Sequence, residues 1–278
     1  MDKVRIGTSG WSYKDWLGSF YPPGTTAKDY LASYATHFPA VEVDSTYYGI
    51  PRRETVKKWA DSTPDGFRFT LKVPRDVTHG ASSERPKLDG VLRDEEGVLE
   101  RFLDTVEALG DKLGAVLFQF PYFRVKEMVT EDFLARLAAV LSGVRGTIRC
   151  AVEVRNKGWI QKPFLDLLRS HRVAAVMIDH PYLPGPLQQL RLGMVTTDFA
   201  YVRLLGDRYG IEKITRSWGE TVVNRDSGLS EWAALIYQVA EMADVQDLYS
   251  FSNNHYAGHA PATCRSLVKM VGGHDFPA

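Results

Sequence analysis

Charged side chains stand at or just after the ends of short apolar runs throughout this sequence. Glu42 and Asp44 are two residues apart, as are Glu153 and Arg155, so each pair points to one side if its run is an extended strand. A strand buried on both faces is usually apolar throughout, and a charge within it therefore needs a partner or a function. Carboxylates in such places can transfer protons, and cations can hold an anion.

Two interpretations follow from these charges. In the catalytic one, Glu42 and Glu153 transfer protons, and Lys72 stabilises developing charge. In the structural one, the charges form a buried ion-pair layer that seals a barrel. The remaining candidates for substrate or anion binding are planar donors, an acid, an amide, an imidazole and two aromatic rings: Trp11, Tyr47, Arg155, Asp179, Arg203, Asn254 and His255.

An anionic ligand is indicated by the planar donors. Arg155 and Arg203 each carry a guanidinium fork that matches a carboxylate or a phosphate, and Lys72 adds a point charge. The segment NNHYAGHAP at 253–261 precedes a predicted helix, whose free amides would face an anion. Phosphate sites in barrels often follow the last two strands. We therefore expect an anionic small molecule or a nucleic acid as the ligand.

Aromatic and histidine residues give weaker signals. Trp11 and Tyr47 lie in aromatic-rich segments that could stack on bases or sugar rings, or could pack a loop over a barrel rim. His255 and His259 are four residues apart but straddle a glycine, so they lack the spacing of a metal pair on a helix. The sequence thus supports neither a metal ion nor an organic cofactor.

A repeated order of elements positions these residues. Short β-branched or aromatic runs alternate with stretches of helical period, separated by loops that contain Gly, Pro or Asp. The predicted strands span residues 4–8, 41–43, 67–73, 114–120, 147–154, 173–178, 201–205 and 248–252. The predicted helices lie near 27–37, 53–61, 97–111, 130–142, 161–171, 229–243 and 261–270.

This alternation requires parallel strand pairing with helices on the outside. No glycine-rich dinucleotide motif follows the first strand, and polar residues recur at strand ends, which favours a closed barrel over an open sheet. We predict an α/β fold with a single (β/α)8 TIM-type barrel over residues 1–278. Prolines make 180–200 an irregular segment with one short helix, and the charged segment 76–96 is expected to be an insertion or a lid.

Composition narrows the classes of protein. The 34 basic and 34 acidic residues leave no net formal charge, so a nucleic acid or anionic lipid would need a local basic patch. Cys150 and Cys264 are too few for a disulfide scaffold and are expected to be buried thiols. No apolar run reaches about 18 residues, and the first ten residues contain no secretory apolar segment. We expect no membrane partner and a cytoplasmic location.

Six segments together resemble one known family over nearly the whole chain. They are IGTSGWSY, EVDSTYYGIP, FRFTLKVPRDVTH, LFQFP, AVEVRNKGW and SNNHYAGHAP. The family is the YecE-like family, also called domain of unknown function seventy-two. The resemblance implies an eight-stranded barrel in a bacterial or archaeal protein. It also implies a structural likeness to endonuclease-IV-like barrels, from which a nucleic-acid role follows only by analogy.

Two positions depart from the family pattern. Asp44 stands where the family usually has Asn, and Leu205 replaces a histidine at the end of the seventh strand, which weakens any multi-histidine metal site. Three functions stay open. The first is acid/base hydrolysis of a phosphate-bearing substrate such as a nucleic acid or nucleotide. The second is isomerisation or epimerisation of a sugar or sugar phosphate, with Lys72 polarising the carbonyl oxygen. The third is non-catalytic nucleic-acid binding.

Overall fold

Eight parallel strands close into one barrel in the computed structural model, which describes residues 2–80, 86–94, 96–124 and 126–273. The strands pair in chain order, and the last pairs with the first. They are β1 Val4–Ser9, β2 Ala40–Val43, β3 Arg68–Lys72, β4 Leu113–Gln119, β5 Cys150–Glu153, β6 Ala174–Asp179, β7 Phe199–Leu204 and β8 Asp247–Ser252. The predicted (β/α)8 barrel is confirmed, although β5 is shorter than the predicted 147–154.

Helices follow the strands on the outside of the barrel. They are α1 Tyr30–Ala35, α2 Arg53–Asp61, α3 Arg75–Thr78, α4 Val98–Val106, α5 Thr130–Gly143, α6 Lys162–Ser170, α7 Pro186–Arg191, α8 Arg208–Ile211, α9 Asp226–Ala240 and α10 Ala260–Gly272. The irregular segment 180–200 contains one short helix, α7, as predicted. Helix α9 begins three residues before the predicted start at 229.

Two separate apolar clusters form the core. The larger cluster lies between the sheet and the helices, and it includes the fully buried Trp232 of α9. The smaller cluster fills the barrel interior with side chains that alternate along each strand: Ala40, Ala115, Leu117, Ala151, Ala174, Val176, Ile178, Phe199, Tyr201, Leu205, Tyr249 and Phe251. The same alternation continues into the charged residues near the C-terminal strand ends and so decides which of them face the interior.

Close contacts between β1 and its neighbours explain a glycine and a cysteine. A Cβ atom on Gly7 would lie 1.9 Å from the carbonyl oxygen of Ala40, so only glycine fits where β1 meets β2. Cys264 donates a hydrogen bond from Sγ to the Gly7 carbonyl oxygen at 3.0 Å. Both Cys264 and Cys150 are buried free thiols, as predicted.

The predicted lid at 76–96 lies partly outside the described residues. Its described parts include the end of α3 and a short 3-10 helix at Leu88–Gly90. Its role as a lid therefore stays a prediction. Among the described residues, no helix combines the length and the apolar character that crossing a membrane requires.

Candidate functional site at the mouth of the barrel

A buried ion-pair layer occupies the barrel at the C-terminal ends of the strands. Arg203 of β7 donates from Nη2 to Glu42 Oε1 at 2.7 Å and from Nη1 to Glu153 Oε2 at 2.5 Å. The Arg203 residue is 2% exposed, and both carboxylates are fully buried. One guanidinium thus joins β2, β5 and β7 across the barrel. Both ends of its fork are occupied by protein carboxylates, so the fork predicted to grip an external anion is not free.

Glu42 has further donors on both oxygens. Ser9 donates from Oγ to Oε1 at 2.8 Å, and Tyr201 donates its hydroxyl to Oε2 at 2.8 Å. Burial alone would raise the pKa of the carboxyl, but Arg203 and Lys72 outweigh burial and hold the pKa below its usual value. Glu42 therefore stays ionised at neutral pH, which suits charge balance better than proton donation.

Glu153 is held ionised in the same way. Burial opposes ionisation, but Arg155 and Arg203 lower the pKa of this carboxyl to about 2. Arg155 Nη2 lies 2.6 Å from Glu153 Oε1, an ion-pair distance, although the angle there is not that of a hydrogen bond. The predicted proton-transfer residues Glu42 and Glu153 thus lie together at the mouth, in the arrangement of the ion-pair interpretation.

Lys72, at the end of β3, is held less tightly than Arg203. Its side chain is 13% exposed, and Nζ lies 4.0 Å from Glu42 Oε1. Within the described part of the chain, no hydrogen bond to this amine is seen. Burial and the nearby Arg203 lower its pKa, whereas the carboxylates of Glu42 and Asp44 partly restore it. The amine is therefore shifted towards its neutral, nucleophilic form.

Asp44 complements this lysine from the end of β2. Burial, together with the charge of Glu42, raises the pKa of its carboxyl, although Lys72 and Arg203 act in the opposite direction. The carboxylate reaches the mouth beside Gly10, which has φ +86° and whose added Cβ would lie 3.3 Å from Asp44 Oδ1. Burial thus disfavours the charged forms of both Asp44 and Lys72 at this mouth.

Aromatic side chains form the rim above β1 and β2. Trp11 is half-buried and packs edge-on against Trp59 of α2, with ring centroids 5.5 Å apart. Trp11 therefore packs a loop over the barrel rim, which is the second of the two roles considered for it. Tyr47 lies on a 3-10 helix at Ser45–Tyr47, and its hydroxyl is 3.0 Å from Nε2 of the buried His79. Burial lowers the pKa of His79 to about 4, so this imidazole is neutral at pH 7.

Asp179, a predicted binding residue, does not lie with the charged layer. Its Oδ2 accepts a hydrogen bond from Trp232 Nε1 at 2.7 Å, on the side of β6 that faces α9. The reason is strand alternation, because Val176 and Ile178 of β6 fill the barrel interior. Asp179 follows Ile178 directly and so points to the opposite face.

The segment after β8 also differs from the prediction. Asn254 Oδ1 accepts hydrogen bonds from Trp16 Nε1 at 3.2 Å and from the backbone N–H of Ala260 at 3.0 Å. That amide at the start of α10 is therefore already bonded within the protein. His255 lies apart from the ion-pair layer, where its Nε2 is 3.1 Å from Glu212 Oε1. Neither Asn254 nor His255 is brought to the charged layer.

Asn253 was missed by the sequence analysis in favour of its neighbour. It comes two residues after the inward-facing Phe251, so alternation places it with the barrel interior. Its Oδ1 is buried without a hydrogen-bond partner among the described residues. Strand parity was the signal that could have separated Asn253 from Asn254.

Several buried polar atoms at the mouth have no hydrogen-bond partner within the described chain. They are Arg155 Nε, Arg203 Nε and Asn253 Oδ1, whereas Glu153 Oε1 is held by its ion pair with Arg155 rather than by a hydrogen bond. Leaving such atoms unpaired costs about 1–3 kcal/mol each, so a polar ligand that reached them would stabilise the site. Among the residues described, no group of three or more His, Cys, Asp or Glu side chains is arranged to hold a metal ion.

The fold and the site define a TIM-type barrel with a charged cluster at the C-terminal ends of its strands, where active sites of this architecture lie. Residues 5–277 match the family described as protein of unknown function DUF72, and the chain belongs to that family. The UPF0759 protein YunF of Bacillus subtilis is 32% identical over 96% of this chain and 94% of its own.

Solved structures agree with this assignment. A DUF72 family protein from Thermotoga maritima has 27% identity and a TM-score of 0.68, covering 97% of this chain and 99% of its own. A D-psicose 3-epimerase, crystallised in the presence of D-fructose, has 13% identity and a TM-score of 0.54 over 89% of this chain and 84% of its own. The second likeness concerns the fold alone.

Proposed function

We propose that the barrel mouth is the active site of an enzyme that moves a proton next to a carbonyl group of a small sugar-like substrate, as isomerases and epimerases do. The observation that carries the proposal is the pair formed by Lys72 and Asp44. Their pKa values are shifted in opposite directions by burial at the same mouth. These shifts bring the lysine closer to a base and the carboxyl closer to an acid than an exposed lysine and aspartate would be.

The contacts of the site support this function over phosphate-ester hydrolysis. Both terminal nitrogens of the Arg203 guanidinium donate hydrogen bonds to protein carboxylates, those of Glu42 and Glu153. The amide of Ala260 at the start of α10 is bonded to Asn254. Two of the anion donors expected from the sequence are therefore engaged inside the protein. A nucleic acid is also poorly matched by a cluster in which three carboxylates, those of Glu42, Asp44 and Glu153, surround the cations.

The chemistry assigns a role to each part of the mouth. The Lys72–Asp44 pair removes a proton from the carbon beside the carbonyl and delivers one to the carbonyl oxygen, which forms an enediol, and the reverse transfers give the product. The layer around Arg203 fixes the ends of three strands and supplies a constant field. Arg155, whose side chain is 19% exposed, is the cation available to a phosphate if the sugar carries one.

The experiment is solvent hydrogen exchange followed by NMR. The protein is incubated in D2O with D-fructose, D-psicose, dihydroxyacetone and D-fructose 6-phosphate, and deuterium is measured on the carbons next to the carbonyl. We expect incorporation with wild type and loss of it in Lys72→Met and Asp44→Asn. Lys57→Met is the matched control, since Lys57 is 69% exposed on α2. Absence of exchange in all four sugars, or equal exchange in Lys72→Met, would contradict the proposal.

A further inference from the structure

The amine of Lys72 differs from a lysine that serves only in an ion pair. Its closest carboxylate oxygen is at 4.0 Å, whereas Arg203 holds its two carboxylates at hydrogen-bond distance. Glu42, the residue at 4.0 Å, is already bonded by Ser9, Tyr201 and Arg203. Within the described chain the Nζ lone pair therefore has no competing hydrogen-bond donor, and the side chain retains 13% exposure towards the mouth.

The surroundings of this amine fit covalent chemistry. Arg203 and Arg155 together supply two positive charges against the two negative charges of Glu42 and Glu153, so Lys72 is not needed for charge balance at these two residues. Asp44, at the end of the adjacent strand, lies within electrostatic range of Lys72 and has no hydrogen bond from a described side chain. A desolvated lysine next to another cation is one of the ways in which enzymes activate an amine nucleophile.

We propose that Lys72 forms an iminium ion with the carbonyl carbon of an aldehyde or ketone substrate, with Asp44 as its proton partner. This inference rests on the proposed function and specifies its chemistry. It assigns Lys72 as a nucleophile rather than as a base. It also restricts the substrate class to compounds with a free, sterically open carbonyl group, such as the open-chain forms of small ketoses.

The steps balance without an external oxidant or reductant. The Nζ lone pair forms a bond to the carbonyl carbon, and the carbonyl oxygen takes a proton from the Asp44 carboxyl. The resulting carbinolamine loses one proton from nitrogen to its own departing hydroxyl, the C–O bond breaks, and water leaves. The iminium then acidifies the neighbouring C–H bond. The Asp44 carboxylate takes that proton and returns it to carbon. It then takes a proton from the water that adds to the iminium carbon, and transfer of the remaining hydroxyl proton to nitrogen breaks the C–N bond, which releases the product, the free amine and a protonated Asp44.

The first proton in this reaction must come from a carboxyl group that can be protonated. Glu42 and Glu153 are held ionised by Arg203 and its neighbours, so neither can give the first proton. The pKa of Asp44 is raised instead, because burial and the charge of Glu42 disfavour its ionised form, so this carboxyl takes a proton more readily than the two glutamates do. Asp44 is thus the carboxyl in the cluster that can alternate between acid and base during one turnover.

The test is reductive trapping with dihydroxyacetone and sodium cyanoborohydride at pH 7, followed by peptide mass spectrometry. We expect Lys72 to carry most of the label in native wild type, ahead of the more exposed Lys57. We expect the label to vanish in Lys72→Met and Lys72→Arg and to stay at the wild-type level in Lys57→Met. Labelling that is spread over the exposed lysines, with none at Lys72, would overturn the inference.

Two features keep the result interpretable. The labelled lysine is identified in wild-type protein, so the result does not depend on whether Lys72→Met folds. Lys72→Arg is the second variant, because it keeps a positive charge at this position but has no amine that can form an iminium. The exchange assay separates the two proposals. Deuterium incorporation without trapping at Lys72 would contradict the iminium proposal, while the proposed proton transfer would still hold. Trapping at Lys72 without exchange supports the iminium and refutes the proposed isomerase chemistry.

Discussion

Replacing Arg203 by alanine should be among the most destabilising single changes at the mouth. Arg203 is 2% exposed and bonds two fully buried carboxylates at 2.5 and 2.7 Å. Removing one partner of a buried ion pair costs about 3–5 kcal/mol, because the remaining charge is left desolvated. For a chain of this size that corresponds to a fall in Tm of roughly 6–20 °C. The measurement is urea and thermal unfolding followed by circular dichroism.

The loss should depend on pH with a definite sign. In wild type the folded pKa of Glu153 is lowered to about 2, so its stabilisation is present above the unfolded pKa and lost only as pH falls towards 2. In Arg203→Ala the folded pKa values of Glu42 and Glu153 rise relative to wild type, because Lys72 and Arg155 are the cations that remain beside them. The variant is then destabilised most at high pH, and the gap to wild type narrows as pH falls from 7 to 5.

The control is Arg208→Ala, which breaks an ion pair with Glu212 in which the arginine side chain is 69% exposed. Exposed pairs contribute about 0–1 kcal/mol, so this variant should unfold almost like wild type. A loss below about 1 kcal/mol in Arg203→Ala, or a gap that widens on acidification, would refute the ion-pair account of the mouth.

Three further predictions concern residues outside the layer. Burial raises the pKa of the Cys150 and Cys264 thiols to about 12, so neither should react with a thiol reagent until the protein is unfolded. Rapid native labelling would contradict this. Asp179→Ala should cost about 1–3 kcal/mol in urea unfolding by orphaning the Trp232 N–H, yet leave trapping at Lys72 unchanged; lost trapping would contradict it. The pKa of His79 is lowered to about 4, so its contribution is complete above the unfolded pKa near 6.5 and falls on acidification, by about 2 kcal/mol at pH 5. His79→Gln should lose that part of the acid sensitivity, and an unchanged pH profile would count against it.

The fold was predictable because it depends on periodicity. Alternation of apolar runs with helical stretches is a property of the whole chain, and one irregular element, such as α7 within 180–200, does not disturb it. Element ends were less certain. Helix α9 begins at Asp226 rather than 229, because its first turn carries polar residues that add nothing to an apolar stripe.

The site was predictable to the level of the strand end, and strand parity decided the rest. Glu42, Glu153 and Arg203 came together because all three follow the inward alternation of their strands. Asp179 lies one residue after the inward-facing Ile178 and therefore points outward. Asn254 was predicted as a site residue, although Asn253 is the neighbour with inward parity. Parity counted from the inward-facing Ile178 in β6 and Phe251 in β8 separates these positions, whereas composition alone does not.

The sequence offered an ion-pair layer as one of two interpretations but could not decide between them. The sequence shows cations and carboxylates at strand ends. An arginine that binds a substrate and an arginine that binds two glutamates cannot be told apart from these residue types. Only the three-dimensional arrangement shows that Arg203 is engaged by the protein. The same arrangement leaves Lys72 and Asp44 as the groups available for chemistry.

The most direct test of the account is the protonation of Lys72 itself. Native protein is acetylated briefly with acetic anhydride across a range of pH, and the extent of reaction at each lysine is read by mass spectrometry. We expect Lys72 to become reactive at a pH below the ordinary lysine value of 10.5, because burial and Arg203 lower its pKa. An inflection at or above that value would show a fully charged ammonium ion and would contradict a reactive amine at the barrel mouth.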